Sequence, residues 1–242
     1  MAKTNIFGER WEKVELPHIG KGGQGYIYKV KDLTGEYSYD CVLKVFKGIK
    51  RIDRINNEIK ALQKLDHPQI VPILDFSITD KEAYFVTKQF SKHTLADLAP
   101  LAPLKALEIF VDICEPIVYA HSKGIVHRDL KPENIVFDDD KPVILDFGLC
   151  FFTDEEDNRL TATIEQIGSR YFIPPELERG KSENISEASD SYTLGKILYF
   201  SLTKKLIARE DFTGSNSLSV MLKNPQLDYI TQRILEKSVR IS

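Results

Sequence analysis

Cysteine is scarce in this chain: Cys41, Cys114 and Cys150 are the three in 242 residues, odd in number and far apart. They exclude a disulfide frame, give no zinc-ligand spacing and point to a reducing compartment. Long apolar runs are missing too. No stretch approaches the ~18 consecutive apolar residues of a membrane-spanning helix. The N-terminus MAKTNIFGERWEKVELPHIG carries no apolar signal core. Positive charge is not in excess either: 36 Asp and Glu outweigh 33 Lys and Arg, for a net charge of −3. There is thus no electrostatic case for a nucleic-acid partner. No internal repeat and no low-complexity linker interrupts the chain. What remains is a globular composition, 42% hydrophobic and 29% charged, expected in the cytoplasm and long enough for one large domain or two small lobes.

The patterning changes character near residue 91. Before it, YIYKVKD and DCVLKVFKG alternate or are rich in β-branched and aromatic residues, and LTGEYSY links them as a turn. RIDRINNEIKALQKL sets Ile52, Ile55, Ile59, Leu62 and Leu65 at helical spacing, which predicts one amphipathic helix. HPQIVPILDFSI and EAYFVTKQF return to strand character, with Asp80-Lys81 as a hairpin turn. Beyond it, LKALEIFVDICEPIVYAHSKG predicts a long apolar helix that stops at Gly124. Two short strands are expected around FDDDK, a polar irregular stretch over roughly 149 to 173, and a buried helix in SDSYTLGKILYFSLT. A small β-rich half, 1–90, therefore precedes a larger helical half, 91–242.

Three groups of residues carry chemistry. In IGKGGQGYIYKV, glycines 20, 22 and 25 lie between strand-like flanks. A dinucleotide-binding fold needs a helix next, and here a β run follows. A glycine-rich hairpin instead lets backbone N–H groups approach phosphate oxygens, though taken alone the motif reads better as a flexible hairpin turn. Lys44 lies inside the apolar strand CVLKVF, where a buried ammonium needs a partner, and Glu58 beside the helix's apolar stripe offers one. Taken singly, Lys44 reads as an edge lysine snorkelling to water and Glu58 as a solvated helix residue. In IVHRDLKPENIVFDDDKPVILDFG, Asp129 precedes Asn134 by five residues and Asp146 follows in LDFG; Asn134 and Asp146 supply oxygen donors of the kind Mg²⁺ takes together with water and phosphate. With Asp146 and Asn134 on the metal, Asp129 is free to accept a hydroxyl proton and Lys131 to neutralise the transferred group.

With these motifs in order, and with GSRYFIPPE and SDSYTLG after them, the chain resembles a eukaryotic-type (Hanks-type) Ser/Thr protein kinase catalytic domain over residues 14 to 200. The resemblance implies a bilobal α+β fold: an N-terminal antiparallel sheet with one helix, and a mainly helical C-terminal lobe. It implies that Lys44 binds the α/β phosphates of ATP and pairs with Glu58. Asp129 becomes the catalytic base, and Asn134 and Asp146 hold Mg²⁺. Asp190 anchors the catalytic-loop backbone. Gly20, Gly22 and Gly25 cover the phosphates; Ile19, Ile27, Val42 and Val136 sandwich the adenine; the backbone of Lys88 and Phe90 reads its edge. Thr87 stands at the gatekeeper position. The lysine of DLKPEN resembles the class acting on Ser and Thr hydroxyls of protein substrates, the chain itself included.

Departures are local. PPE at 174 to 176 replaces Ala-Pro-Glu, Val42 stands where alanine is usual, and Lys88 replaces a common hinge glutamate. The family continues to an arginine pairing with the glutamate held here by Glu176. Arg240 is the remaining candidate, so the C-terminal lobe is expected to be truncated or unusually short. LCFFTDEEDNRLTATIEQIGSRYF corresponds to the activation loop. Thr161 and Thr163 are candidate phosphosites facing Arg128, with Ser169 behind them; equally, TDEED already supplies fixed negative charge. Cys150 reads as a small packed side chain, and Glu133 as a weak pointer to a basic residue near the acceptor. A pseudokinase scaffold fits less well because Lys44, Glu58, Asp129, Asn134 and Asp146 are all present. An antibiotic-type phosphotransferase fits least, because HRDLKPEN and the PPE segment are not its pattern. Oligomeric state has no signature.

Overall fold

The computed structural model describes residues 5–14, 18–21, 25–46, 52–79, 82–153, 171–172 and 186–206, with positions 218, 226, 229, 230, 232–234 and 237. The chain divides into two compact units, Met1–Phe90 and Ser91–Ser242.

Unit 1 is an antiparallel sheet of seven strands: β1 (Ile6–Phe7), β2 (Trp11–Lys13), β3 (Gly20–Lys21), β4 (Gly25–Asp32), β5 (Cys41–Phe46), β6 (Asp75–Ile78) and β7 (Ala83–Lys88). Their order is β1-β2-β4-β5-β7-β6, with β3 also on β4. Side chains alternate across a strand, so the register sorts the faces. Ile27 opposes Lys44, Val42 opposes Thr87 and Lys44 opposes Phe85, which puts these five on one face. The other face carries the core cluster Phe7, Trp11, Val30, Cys41, Leu43, Tyr84 and Val86. The helix α1 (Ile52–Lys64) buries Ile55, Ile59 and Leu62 of the stripe its spacing predicts, with Ala61 beside them; Ile52 is half-buried and Leu65 is buried just past the helix end.

The β1–β2 hairpin is an element the sequence reading missed. Its turn places Gly8 and Glu9 at φ +55° and +58°, the left-handed pair that suits a tight hairpin. A Cβ on Gly8 would run into the Tyr84 hydroxyl, so glycine is required there on two counts. The hairpin is pinned by side chains from distant strands. Trp11 Nε1 donates to Asp75 at 2.6 Å, and the Arg10 guanidinium grips Asp32 through Nε and Nη2, each at 2.9 Å.

Unit 2 contains α2 (Leu95–Leu98), α3 (Pro103–Ser122) and α4 (Glu187–Thr203). Proline at the start of α3 costs no helical hydrogen bond, and Gly124 at φ +70° closes its end by donating to the His121 carbonyl at 2.8 Å. Ser186 caps α4 by accepting from Ala188 N–H. This helix is buried on nearly every side, as a continuous apolar run requires. Ala106 of α3 meets Leu198, Tyr199 and Leu202 of α4 and Leu218 in one core cluster. Strands β9 (Ile135–Asp138) and β10 (Lys141–Ile144) form the expected hairpin around FDDDK. One expectation needs correction. Within the stretch read as irregular, Phe151–Phe152 forms β11 and pairs with β8 (Ile125–Val126). Two consecutive phenylalanines are too short a run to register as a period, and β8 supplies the missing hydrogen bonds. Among the described residues no helix is long and apolar enough to cross a membrane.

Candidate functional site

In unit 1 the central feature is Lys44. Its strand β5 is flanked by β4 and β7, so Lys44 is not an edge lysine. Its ammonium lies 2.5 Å from Glu58 Oε1, and Glu58 is fully buried on α1. The ammonium also sits 5.0 Å and 5.2 Å from the ring centres of Phe46 and Phe85, aromatic faces that favour a cation. A charge so enclosed is tolerable only with its counter-charge in place. Ile27 and Val42 are half-buried on the Lys44 face, and Thr87 is buried there with no hydrogen-bond partner for its hydroxyl among the described residues. Lys88 points to the opposite face from Thr87, which leaves its backbone rather than its ammonium on the Lys44 side. Its ammonium lies 5.7 Å from the Phe90 ring. Ile19 is exposed, and its N–H donates to Ile27 at 2.9 Å. Gly20 pairs with Ile27. A Cβ on Gly25 would strike the Val45 carbonyl oxygen, so this glycine answers a close backbone approach. Gly22 lies outside the described residues.

In unit 2 the polar run after β8 has no regular structure, and its backbone is held by one carboxylate. Asp190, buried at the start of α4, accepts from His127 N–H at 2.8 Å and Arg128 N–H at 2.9 Å. Its third contact is the His121 ring, with Nε2 at 2.7 Å. Arg128 adopts φ +68°, a conformation rare outside glycine, and these bonds fix it. The His127 ring packs on Phe147 with centres 4.5 Å apart. Beyond this clamp Asp129 presents its carboxylate to Lys131 Nζ at 2.9 Å, and both side chains stay largely shielded from solvent. Asn134, in the 3-10 turn Pro132–Asn134, donates through Nδ2 to the Asp129 carbonyl at 3.3 Å. With its NH₂ so engaged, the amide keeps its oxygen as an acceptor. Asp146 is also left-handed, at φ +58°, and accepts from Gly148 N–H at 3.2 Å. Val136 is buried in β9 and Glu133 is exposed.

Arg128 is buried, and its Nε has no hydrogen-bond partner among the described residues. Burial pulls the guanidinium below the ordinary arginine value. Cys150 is buried. Thr161, Thr163, Ser169, Glu176 and Arg240 lie outside the described residues. Sequence reasoning missed His121. A lone histidine in an apolar helical run carries no signal until α4 is folded beside it.

The model of a family described as the protein kinase domain matches residues 14–238. The serine/threonine-protein kinase PknB of Mycobacterium tuberculosis is 30% identical over 244 residues, covering 95% of this chain and 37% of that protein. A probable serine/threonine-protein kinase PknB of Lactococcus lactis is 32% identical over 232 residues, 91% of this chain and 35% of that protein. The serine/threonine-protein kinase PrkC of Bacillus subtilis is 31% identical over 220 residues, 87% and 32% respectively. The chain thus spans about a third of the length of these curated relatives.

Proposed function

The chain belongs to the protein kinase domain family, and from that premise we propose that it transfers the γ-phosphoryl group of Mg-ATP to Ser and Thr hydroxyls of protein substrates, itself included. The observation that supports this reading is the Asp190 clamp on the His127 and Arg128 backbone, directly before Asp129, whose carboxylate meets Lys131. Asp129 accepts the proton of the attacking hydroxyl, and Lys131 offsets charge on the phosphoryl group as it moves. In unit 1, Lys44 binds the α/β phosphates and Glu58 holds its ammonium in place. The backbone around Gly20, Gly22 and Gly25 covers the phosphates. Ile19, Ile27, Val42 and Val136 pack on the adenine, the backbone of Lys88 and Phe90 reads its edge, and Thr87 borders it.

The donor set fits magnesium: the Asp146 carboxylate and the Asn134 amide oxygen are the hard ligands it takes when phosphates and water complete the shell. When bound, Mg²⁺ neutralises charge on the phosphates. Thr161 and Thr163 are candidate phosphosites, and a phosphate on either would find its cationic partner in the guanidinium of Arg128. Cytoplasmic placement rests on the ATP requirement and three free cysteines.

Asp129→Asn tests the reading. Wild-type protein with Mg-ATP labels itself or a generic protein substrate, and the variant loses this at least ~100-fold while binding nucleotide as before. Equal inertness of both proteins, with nucleotide still bound, makes the fold a binding module instead.

A further inference from the structure

Between Ser91 and α2, Lys92 and His93 are exposed; just past α4, Lys204 and Lys205 are exposed as well. The chain brings the two pairs together. The helices α2 and α4 are in contact, and Leu101 N–H donates to the Ser201 carbonyl at 2.7 Å. Asp97 on α2 feels both sides. Its carboxyl lies below the usual carboxylate range chiefly because Thr94 donates its backbone N–H and then its hydroxyl, with smaller pulls from His93 and Lys204. Those Thr94 bonds, at 2.8 Å and 2.9 Å, commit the one acid of the group to its own helix start. None of the four basic side chains has an ion-pair partner among the described residues. Two exposed lysines elsewhere in the unit are paired, Lys141 with Asp112 at 3.0 Å and Lys105 with Glu108 at 3.9 Å, while exposed Lys123 lies 5.4 Å from the Tyr119 ring. In a chain of net charge −3, an unneutralised basic cluster stands apart.

Its position gives it a use. On its other side α2 packs against the Pro132–Asn134 turn, which carries Asn134 and follows Asp129 and Lys131 directly. A polypeptide with its hydroxyl at Asp129 passes within a few residues of this turn. We propose that Lys92, His93, Lys204 and Lys205 form a specificity surface for acidic protein substrates, reading Asp or Glu side chains a few residues from the phosphorylated Ser or Thr. This rests on the protein-kinase reading and names its substrate class. It runs against the basic preference that Glu133 alone suggests: one exposed carboxylate is outnumbered by three exposed lysines that have no ion-pair partner among the described residues. Exposed charges act mainly on encounter and register, so the preference is modest per residue and falls with salt.

The test is steady-state kinetics on Ser and Thr peptides identical except for Asp/Glu, Gln or Lys/Arg at the flanking positions, at two salt concentrations. The wild type is expected to favour acidic over neutral peptides by about five- to tenfold in kcat/KM, mostly through KM, with less preference at high salt. In Lys92→Gln/His93→Gln/Lys204→Gln/Lys205→Gln the preference disappears, while kcat on the neutral peptide and the thermal midpoint stay as in wild type. Lys92→Glu/Lys205→Glu favours basic peptides. Equal use of acidic and neutral peptides by the wild type overturns the proposal and leaves the protein-kinase reading standing. So does an acidic preference that survives in the quadruple variant. Leu98 and Leu206 are exposed beside these cations. If the variant loses binding to phosphatidylglycerol vesicles but keeps its peptide preference, the surface docks on anionic membrane and the proposal fails. If no peptide of any charge is phosphorylated, both readings fall together.

Discussion

Unit 1 and unit 2 solve the same problem, holding charged groups away from water, by different means. In unit 1 each buried charge is matched by one opposite side chain from another element: Lys44 by Glu58, Asp32 by Arg10. Lys44 and Glu58 stand on a strand and a helix whose geometry is already set; Arg10, in the β1–β2 turn, reaches Asp32 at the end of β4, which Thr34 and Tyr37 also hold. In unit 2 the polar residues lie on irregular backbone, and the buried Asp190 fixes the backbone itself through two N–H groups, with the His121 ring as its third partner. A loop needs its peptide groups held.

The comparison predicts that unit 2 breaks hardest. Asp190→Ala leaves the buried N–H groups of His127 and Arg128 without an acceptor, and Arg128 with nothing to hold its left-handed conformation. Loss of stability by ~3–5 kcal/mol in urea unfolding is expected, with phosphoryl transfer abolished. His121→Ala, which keeps both backbone bonds, is expected to cost about 1–2 kcal/mol. Equal losses from the two variants would place the clamp on the ring rather than the backbone.

A break in unit 1 is expected to be repairable. Lys44→Met strands the buried Glu58 charge and lowers stability by ~3 kcal/mol. Adding Glu58→Leu removes the stranded charge and recovers most of that loss, while activity stays absent because the phosphates have lost their cation. If the double variant is no more stable than Lys44→Met, packing rather than charge decides this pair.

The smallest effect belongs to Arg10. The Asp32 carboxyl is held far below the usual carboxylate range, first by its hydrogen bond from Arg10 and then, against the cost of burial, by Thr34 and Tyr37. The folded chain therefore keeps Asp32 charged at a pH where the unfolded chain has protonated it. The stabilisation is complete above the unfolded value, about 3.9, and is lost as pH falls towards the folded one. Arg10→Ala is expected to cost about 1–2 kcal/mol at pH 7 and to flatten the acid limb of stability measured between pH 5 and 2. An unchanged acid limb would show that Thr34 and Tyr37 hold the carboxylate without Arg10.

Much of this was legible in one dimension, for reasons visible in particular residues. Ile55, Ile59 and Leu62 announced α1 because a 3.6-residue period survives without tertiary context. The buried helix α4 was legible as an apolar run between a polar cap and a lysine pair. Asp129, Lys131, Asn134 and Asp146 were legible as a set because chemistry spaces them tightly along the chain. The hairpin at Phe7 and Trp11, the β8–β11 pair and α2 were not, since two to four residues are too few to show a period. His121, Arg10 and the basic cluster at Lys92 and Lys204 were hidden for another reason. Each draws its meaning from a residue 22 to 112 positions away.

By itself the sequence determined where strands and helices form and which residue types are available for phosphate and metal, because propensity, period and side-chain chemistry are local properties. Tertiary structure alone decided that Glu58 reaches Lys44, that Asp190 grips the backbone before Asp129, and that Lys92, His93, Lys204 and Lys205 gather beside α2. Those outcomes depend on register and helix packing, which are settled only when buried surfaces and buried hydrogen bonds are satisfied together.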